Sequence, residues 1–217
     1  MSEFYGQEHQ VLQETFSTKE LANRVQQNIV MHAFSEEHKA FIETRDMFFL
    51  TTIDHRGYPT CSYKGGNPGF VKVLDETTLA FPSYDGNGMF LSMGNLSANN
   101  KIGMLFIDFE TPRRVRVHGE AVLVRDDASL ELFPAAELVV RLKLTEVFVN
   151  CPRYIHPYKQ IGISKYVPQA GKPARLPAWK RIAGLVDALP AHDREVAEAL
   201  GPITPEEYAE LVRRGEG

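Results

Sequence analysis

The chain has 217 residues, of which 43% are hydrophobic and 24% charged, and its formal net charge is −4. This is the composition of a folded globular protein. The negative charge argues against general nucleic-acid binding, which needs an excess of basic side chains, and no apolar run approaches the roughly 20 residues that cross a bilayer. The N-terminal segment lacks the basic start and apolar core of a secretion signal. We therefore expect a cytoplasmic protein in which Cys61 and Cys151 are free thiols.

The first 45 residues predict helices. Ser17 and Glu20 have the spacing of a capping box ahead of apolar residues at helical intervals, and Ser35 is placed to cap a second helix. From Met47 the pattern changes to β-branched and aromatic runs that alternate with turns, which is typical of strands. The predicted strands are residues 47–53, 59–64, 70–74, 78–81, 102–109, 115–124 and 139–149.

Short strands, tight turns and one helical insertion favour a closed antiparallel barrel over a doubly wound parallel sheet. We therefore predict a mainly β fold with α-helices, in which residues 46–157 form the barrel. Residues 1–45 are a helical N-terminal extension, and residues 158–217 are a C-terminal extension of the same single domain. The extension is predicted to contain helices at 178–188, 193–200 and 205–213.

A glycine-rich corner follows the fourth predicted strand, and a helix is predicted from about Asn87. Such a corner presents unpaired backbone N–H groups and the positive end of a helix dipole to one point. This arrangement can hold a phosphate. The Asp-Gly-Asn-Gly run at residues 85–88 equally suits an ordinary tight turn, because these residues accept positive φ angles.

Few other side chains suggest chemistry. Lys64 ends a strand before a glycine-rich break, where it either reaches an anionic ligand or remains a solvated rim residue. By period two, Arg114, Arg116 and His118 share one face of a strand, which is either solvated or a subunit interface that holds an anion. No segment has metal-ligand spacing, a nucleophile elbow or a nucleotide-binding glycine fingerprint. Any reaction is therefore expected to depend on a bound cofactor.

Several motifs occur in a familiar order between residues 45 and 157. They are Ser62-Tyr63-Lys64-Gly65-Gly66, Pro68-Gly69-Phe70-Val71, Phe81-Pro82-Ser83-Tyr84-Asp85-Gly86-Asn87-Gly88, Gly94-Asn95-Leu96, Asn99-Asn100, Met104-Leu105-Phe106-Ile107-Asp108-Phe109 and Arg114-Val115-Arg116-Val117-His118-Gly119-Glu120-Ala121. Their order resembles the FMN-binding split barrel of the pyridoxamine 5'-phosphate oxidase family. The loop from Asn150 to Ile155 is similar to that of a bacterial branch of this family.

The resemblance implies an antiparallel split β-barrel that forms a homodimer, with FMN at the subunit interface and oxidoreductase activity on a small molecule. It implies that residues 68–71 contact the flavin ring through their backbone and that Phe81 and Pro82 line the ring or ribityl chain. Residues 86–88 would face the phosphate, Arg114 would reach the cofactor from the partner subunit, and Arg153 and Tyr154 would close the site. The complete expected set is Lys64, Pro68, Gly69, Phe70, Val71, Phe81, Pro82, Ser83, Asp85, Gly86, Asn87, Gly88, Arg114, Arg153 and Tyr154.

The chain also departs from the family pattern. Asn87 and Gly88 stand where the oxidases have arginine and lysine, and the C-terminus lacks the arginine–histidine pair that holds their substrate. We therefore do not expect pyridoxamine phosphate as the substrate. The alternatives are a flavin-binding or sensing module without turnover, or a split barrel that uses a deazaflavin or haem. Haem would need an axial ligand such as His118 or His156.

Overall fold

The computed structural model describes residues 4–169, 171–172 and 174–217. Residues 1–3 of the predicted N-terminal extension lie outside the described residues. The chain divides into two compact units, residues 1–161 and residues 162–217. None of the helices in the described ranges is both long and apolar enough to span a membrane.

The first unit contains a curved antiparallel sheet and five short α-helices within its described residues. The strands are β1 (Met47–Ile53), β2 (Pro59–Gly65), β3 (Lys72–Asp75), β4 (Thr78–Ser83), β5 (Lys101–Asp108), β6 (Arg113–Val124) and β7 (Leu138–Asn150). The helices are α1 (Gln7–Thr15), α2 (Lys19–Ile29), α3 (Glu36–Glu43), α4 (Leu91–Ala98) and α5 (Asp127–Glu131).

The strand order is β2-β1-β5-β6-β7-β4-β3, and every pairing is antiparallel. The sheet curls so that alternate side chains of β1, β5, β6 and β7 fill one apolar core. Phe48 on β1 is completely buried there and contacts the rings of Phe70, Phe81 and Phe106. This confirms the predicted mainly β split barrel with added helices.

All seven predicted strands begin and end within two residues of the observed ones, because β-branched and aromatic residues mark them. Strand β3 begins at Lys72 rather than at residue 70. The backbone N–H of Phe70 donates to the Asn67 carbonyl in a turn, and Gly69 has a φ of 87°. Phe70 and Val71 therefore pack into the core from a loop rather than from a strand.

The two predicted N-terminal caps have different outcomes. The Ser35 hydroxyl accepts a hydrogen bond from the His38 backbone N–H, so Ser35 caps α3 as predicted. The prediction for Ser17 was wrong, because this residue has a φ of 55° and helix α2 begins after Thr18, whose side chain makes no capping hydrogen bond. A separate helix, α1, precedes that turn.

In the second unit, two helices occur near their predicted places, α6 (Ala191–Leu200) and α7 (Pro205–Arg213), and Thr204 caps α7 in a capping box. The predicted helix at 178–188 is instead two separate 3₁₀ turns, Ala178–Arg181 and Val186–Ala188. Between them Ile182 forms a parallel bridge with Ile203, which requires extended backbone and interrupts the helix.

Candidate functional site

The glycine-rich corner after β4 is longer than the sequence predicted. Gly88 and Phe90 both have left-handed backbone, with φ of 75° and 47°. Met89 lies between these two residues, and its backbone N–H donates a hydrogen bond to the Asn87 side-chain oxygen at 3.1 Å. Helix α4 therefore begins at Leu91, and the prediction that it starts near Asn87 was wrong. A left-handed residue at Phe90 delays the helix, because helical hydrogen bonding needs right-handed backbone.

A cavity of about 250 Å³ opens at this corner. Its walls come from the end of β2, the end of β4, the corner itself, the first turn of α4 and the residue before β7. The lining residues are Ser62, Lys64, Ser83, Tyr84, Gly86, Asn87, Gly88, Met89, Phe90, Leu91, Ser92, Met93 and Glu137. We call this cavity the corner pocket.

Lys64 supplies the positive charge of the corner pocket. Alternation along β2 turns Ser62 and Lys64 toward the pocket and leaves Cys61 and Tyr63 exposed on the opposite face. The Lys64 ammonium makes no ion pair with any residue that the structure describes, and burial lowers the pKa of this side chain. An ammonium group that is partly removed from water and lacks an anionic partner is well suited to bind an anion.

The first turn of α4 forms the wall opposite β2. No side chain caps the helix at Phe90, and the backbone N–H groups of a first helical turn have no partner within the helix. The helix dipole adds partial positive charge at the same end. Leu91, Ser92 and Met93, which make up this turn, all line the corner pocket.

A buried polar cluster fixes α4 against the sheet. The Asn95 side-chain amide donates to the hydroxyls of Thr52 at 3.0 Å and Thr60 at 3.2 Å, and these two hydroxyls lie 2.8 Å apart. One turn earlier, the Ser92 hydroxyl lies 3.2 Å from the Ser62 hydroxyl. These contacts hold the N-terminal end of α4 at the same edge of the barrel as Lys64.

Only part of the predicted site lines the corner pocket. Lys64, Ser83, Gly86, Asn87 and Gly88 line it together, although Lys64 is separated from the corner by about 20 residues of sequence. Asp85 lies within the corner and is exposed.

The other predicted ring contacts lie outside the corner pocket. The side chain of Phe81 is fully buried in the barrel core, and Pro82 is also buried. The segment 68–71 belongs to the loop between β2 and β3, where the Gly69 backbone N–H already donates to the Glu43 carbonyl at 2.7 Å. Contacts between this segment and a flavin ring stay a prediction.

Arg114 lies on the outer face of β6, as the period-two pattern indicated. Its Nε atom is buried and has no hydrogen-bond partner among the described residues. Arg153 and Tyr154 are exposed in the loop after β7. The expected roles of these three residues at a cofactor stay predictions.

Neither candidate haem ligand lines the corner pocket. His118 lies on the outer face of β6, where its Nδ1 is 2.9 Å from a Glu146 carboxylate oxygen. His156 is exposed in the loop after β7.

Glu137 and the apolar wall of Met89, Phe90 and Leu91 were missed by the sequence analysis. The pairing of β4 with β7 brings Glu137 to the corner, and its backbone N–H donates to the Ser83 carbonyl at 2.9 Å. The sequence around Glu137 does not indicate this contact. It follows from the strand register, in which Leu138 pairs with Ser83.

Three solved structures are similar to this chain. They are HupZ of Group A Streptococcus (18% identity, 54% of this chain and 93% of that one, TM-score 0.45), an FMN-binding protein of Syntrophomonas wolfei (13%, 64% and 97%, 0.42) and the haem storage protein HutZ of Vibrio cholerae (19%, 52% and 92%, 0.40). No curated protein matches the chain. The sequence pattern described as pyridoxamine 5'-phosphate oxidase matches residues 34–151, which include the whole barrel and the corner pocket. The chain therefore belongs to the pyridoxamine 5'-phosphate oxidase family.

Proposed function

We propose that this chain is a homodimeric flavoprotein that binds FMN and uses it to oxidise or reduce a small organic molecule. The observation that carries the proposal is the position of Lys64. Its ammonium has no ion-pair partner among the described residues, and it lines a pocket together with the uncapped first turn of α4. A cation beside free N-terminal amides is a suitable site for a phosphate group. Membership of the family supports FMN as the ligand that carries this phosphate.

The residues of the corner pocket fit the phosphate end of FMN. Lys64 provides a charged donor, Ser62, Ser83 and Ser92 provide hydroxyls, and the first turn of α4 provides backbone N–H groups. The pocket, at about 250 Å³, is smaller than the roughly 300–1,000 Å³ of sites that enclose a drug-sized ligand. We therefore assign the phosphate to the pocket and the flavin ring to the surface beside it. Bound FMN supplies reversible electron transfer, and the protein holds and orients it.

The outer face of the barrel supports the homodimer in this proposal. A row of paired residues crosses the outer faces of four strands in the order Tyr63, Phe49, Leu105 and Arg116. Tyr63 is 62% exposed although it has a large ring. Arg114 lies on the same face of β6 as Arg116, with a buried Nε that has no hydrogen-bond partner in the described chain. A second protomer on this face would cover the aromatic surface and give Arg114 an anionic partner.

The first test is FMN retention. Purified protein is mixed with FMN and separated by gel filtration, and we expect flavin absorbance at about one FMN per subunit. Lys64→Met removes one charged hydrogen bond, worth roughly 1.5–3 kcal/mol, so FMN should bind about ten- to hundredfold more weakly. Lys101→Met is the matched control, because Lys101 is exposed and does not line the pocket. Equal FMN affinity in Lys64→Met and the wild type would remove the support for the proposal.

Turnover and assembly need separate measurements. Reduction of the bound flavin by a nicotinamide or by dithionite, followed by reoxidation with a small-molecule acceptor, tests the enzymatic part. Analytical ultracentrifugation tests the homodimer.

The uncharged Asn87 and Gly88 at the corner favour a second candidate, a module that binds FMN reversibly without turnover. Bound FMN that dithionite reduces chemically, but that no nicotinamide reduces and that sustains no turnover with an acceptor, would support that candidate.

A further inference from the structure

Two opposite charges line the corner pocket. Among the described lining residues, Lys64 is the one basic side chain and Glu137 is the one carboxylate. The two do not form an ion pair with each other, and the Glu137 side chain makes no hydrogen bond or ion pair within the described chain. The exposed Asp85 adds a further carboxylate next to the lining residues Tyr84 and Gly86. The charges of the two lining side chains therefore cancel, and Asp85 adds one negative charge beside them.

The backbone of Glu137 is held in place at the pocket. Its N–H donates to the Ser83 carbonyl at 2.9 Å, and the next residue, Leu138, pairs with Ser83 in the ladder between β4 and β7. Ser83 is itself a lining residue that leads into the corner. The backbone that carries this carboxylate is thus tied to the end of β4 directly before β7, at the wall of the pocket.

The effect of these charges on a bound phosphate depends on how many negative charges the phosphate carries. A phosphate monoester carries about −1.5 to −2 charges at pH 7, with a second pKa of about 6. Lys64 and the dipole of α4 favour one negative charge, whereas the Glu137 carboxylate repels a second one. A flavin that ends in a hydroxyl lacks this repulsion altogether.

We propose that Glu137 tunes the ligand selectivity of the corner pocket by weakening the binding of a phosphate dianion, so that the affinity for FMN is lower, relative to that for an uncharged flavin, than Lys64 and α4 alone would give. The proposal rests on the flavin-binding function proposed above. It makes Glu137 a specificity-determining residue that acts through its charge.

The experiment compares FMN with riboflavin, which has the same ring and ribityl chain but no phosphate. Dissociation constants are measured at pH 7.5 for the wild type, Glu137→Gln and Glu131→Gln. Glu131 is the matched control, because it lies on α5 in the connection between β6 and β7, is exposed and does not line the pocket. Circular dichroism checks that each variant is folded.

We expect Glu137→Gln to bind FMN roughly two- to fivefold more tightly, as for the loss of one repulsion that involves an exposed charge. Riboflavin affinity should not change, and Glu131→Gln should bind both flavins as the wild type does. The gain for FMN should shrink at high salt, because salt screens exposed charges.

An unchanged ratio of FMN to riboflavin affinity in Glu137→Gln would overturn the selectivity proposal while leaving flavin binding intact. Failure of the folded wild type to bind either flavin would overturn the proposed function, and the selectivity proposal with it.

Discussion

The ring centroids of Phe48 and Phe81 lie 5.0 Å apart in an edge-to-face contact, although β5, β6 and β7 separate the strands of these residues in the sheet. This contact exists only because the sheet curls through those three strands and brings β1 and β4 to the same interior. β1 and β2 carry Thr52, Thr60, Ser62 and Lys64, whereas β4 leads into the glycine-rich corner. Curling of the sheet therefore also places Lys64 beside the corner.

Truncation of Phe48 should destabilise the barrel strongly. Phe48 is fully buried and contacts three other rings. Phe48→Ala leaves a cavity, and we expect the free energy of unfolding to fall by about 3–5 kcal/mol. Phe48→Leu keeps most of the apolar volume and should cost clearly less. Urea denaturation measures both, and equal stability of Phe48→Ala and Phe48→Leu would contradict the packing described here.

Gly119 should not tolerate a side chain. The pairing of β6 with β7 shifts register between His118 and Gly119. A Cβ added at Gly119 would lie 2.3 Å from the Lys143 carbonyl oxygen. Because that oxygen belongs to the backbone of β7, the strands would have to separate, and we expect Gly119→Ala to lose about 1–3 kcal/mol of stability. Gly103→Ala is the control, since its Cβ would meet no atom closer than 3.7 Å. Thermal unfolding of the two variants should differ clearly, and equal melting temperatures would count against the strand register.

The regular part of the barrel was predictable, and the shape of its corner was not. Strand β1 begins and ends where its β-branched and aromatic run does, because such residues favour extended backbone. The left-handed residue Phe90 has no such pattern, since nothing in a phenylalanine indicates a φ of 47°. The corner could therefore be located by its glycines, but the start of α4 could not.

Contacts between distant segments decided the remaining differences. Glu137 reaches the corner pocket through the pairing of β4 with β7, which joins residues more than 50 positions apart. The predicted helix at 178–188 is interrupted because Ile182 pairs with Ile203, a contact that its own local sequence does not indicate. Local periodicity thus predicts single elements well, whereas tertiary pairing determines which side chains meet.

Loss of the Asn95 side chain should weaken both stability and flavin binding. Asn95 is 7% exposed, and its amide holds α4 on the hydroxyls of Thr52 and Thr60. Asn95→Ala leaves the buried Thr52 hydroxyl and the half-buried Thr60 hydroxyl with fewer partners, so we expect a loss of about 1–3 kcal/mol. FMN affinity should fall as well, because the first turn of α4 lines the corner pocket.

Ser97→Ala is the control on the same helix. Ser97 is exposed, and within the described chain its hydroxyl donates only to the Met93 carbonyl of α4, so stability should change by less than about 0.5 kcal/mol. FMN titration and urea denaturation measure both variants. An Asn95→Ala protein that keeps the affinity of the wild type would show that α4 does not need this anchor.

Asp54 should make stability depend on acid pH. A side-chain hydrogen bond from Arg56 lowers the pKa of this carboxyl, burial opposes that shift, and backbone N–H groups of Tyr58 and Arg56 reinforce it. Because the folded pKa lies below the unfolded one, the contribution is present above the usual range of aspartate and is lost as pH falls through the folded pKa. Asp54→Asn should flatten the decline of unfolding free energy between pH 5 and pH 2, and Arg56→Met should flatten part of it. A decline as steep as that of the wild type in Asp54→Asn would contradict this assignment.

Lys64 should give phosphate binding an alkaline limit. Burial lowers the pKa of Lys64 in the free protein, and a bound phosphate favours the charged ammonium. FMN affinity should therefore fall as pH rises through the lowered pKa, earlier than for an exposed lysine. Riboflavin has the same ring without the phosphate, so the ratio of FMN to riboflavin affinity isolates the phosphate contribution. Lys64→Arg should bind FMN with a ratio that stays flat over the same pH range, because arginine keeps its charge. If the ratio for the wild type does not decline before the pH range in which an exposed lysine titrates, the Lys64 ammonium does not bind the phosphate.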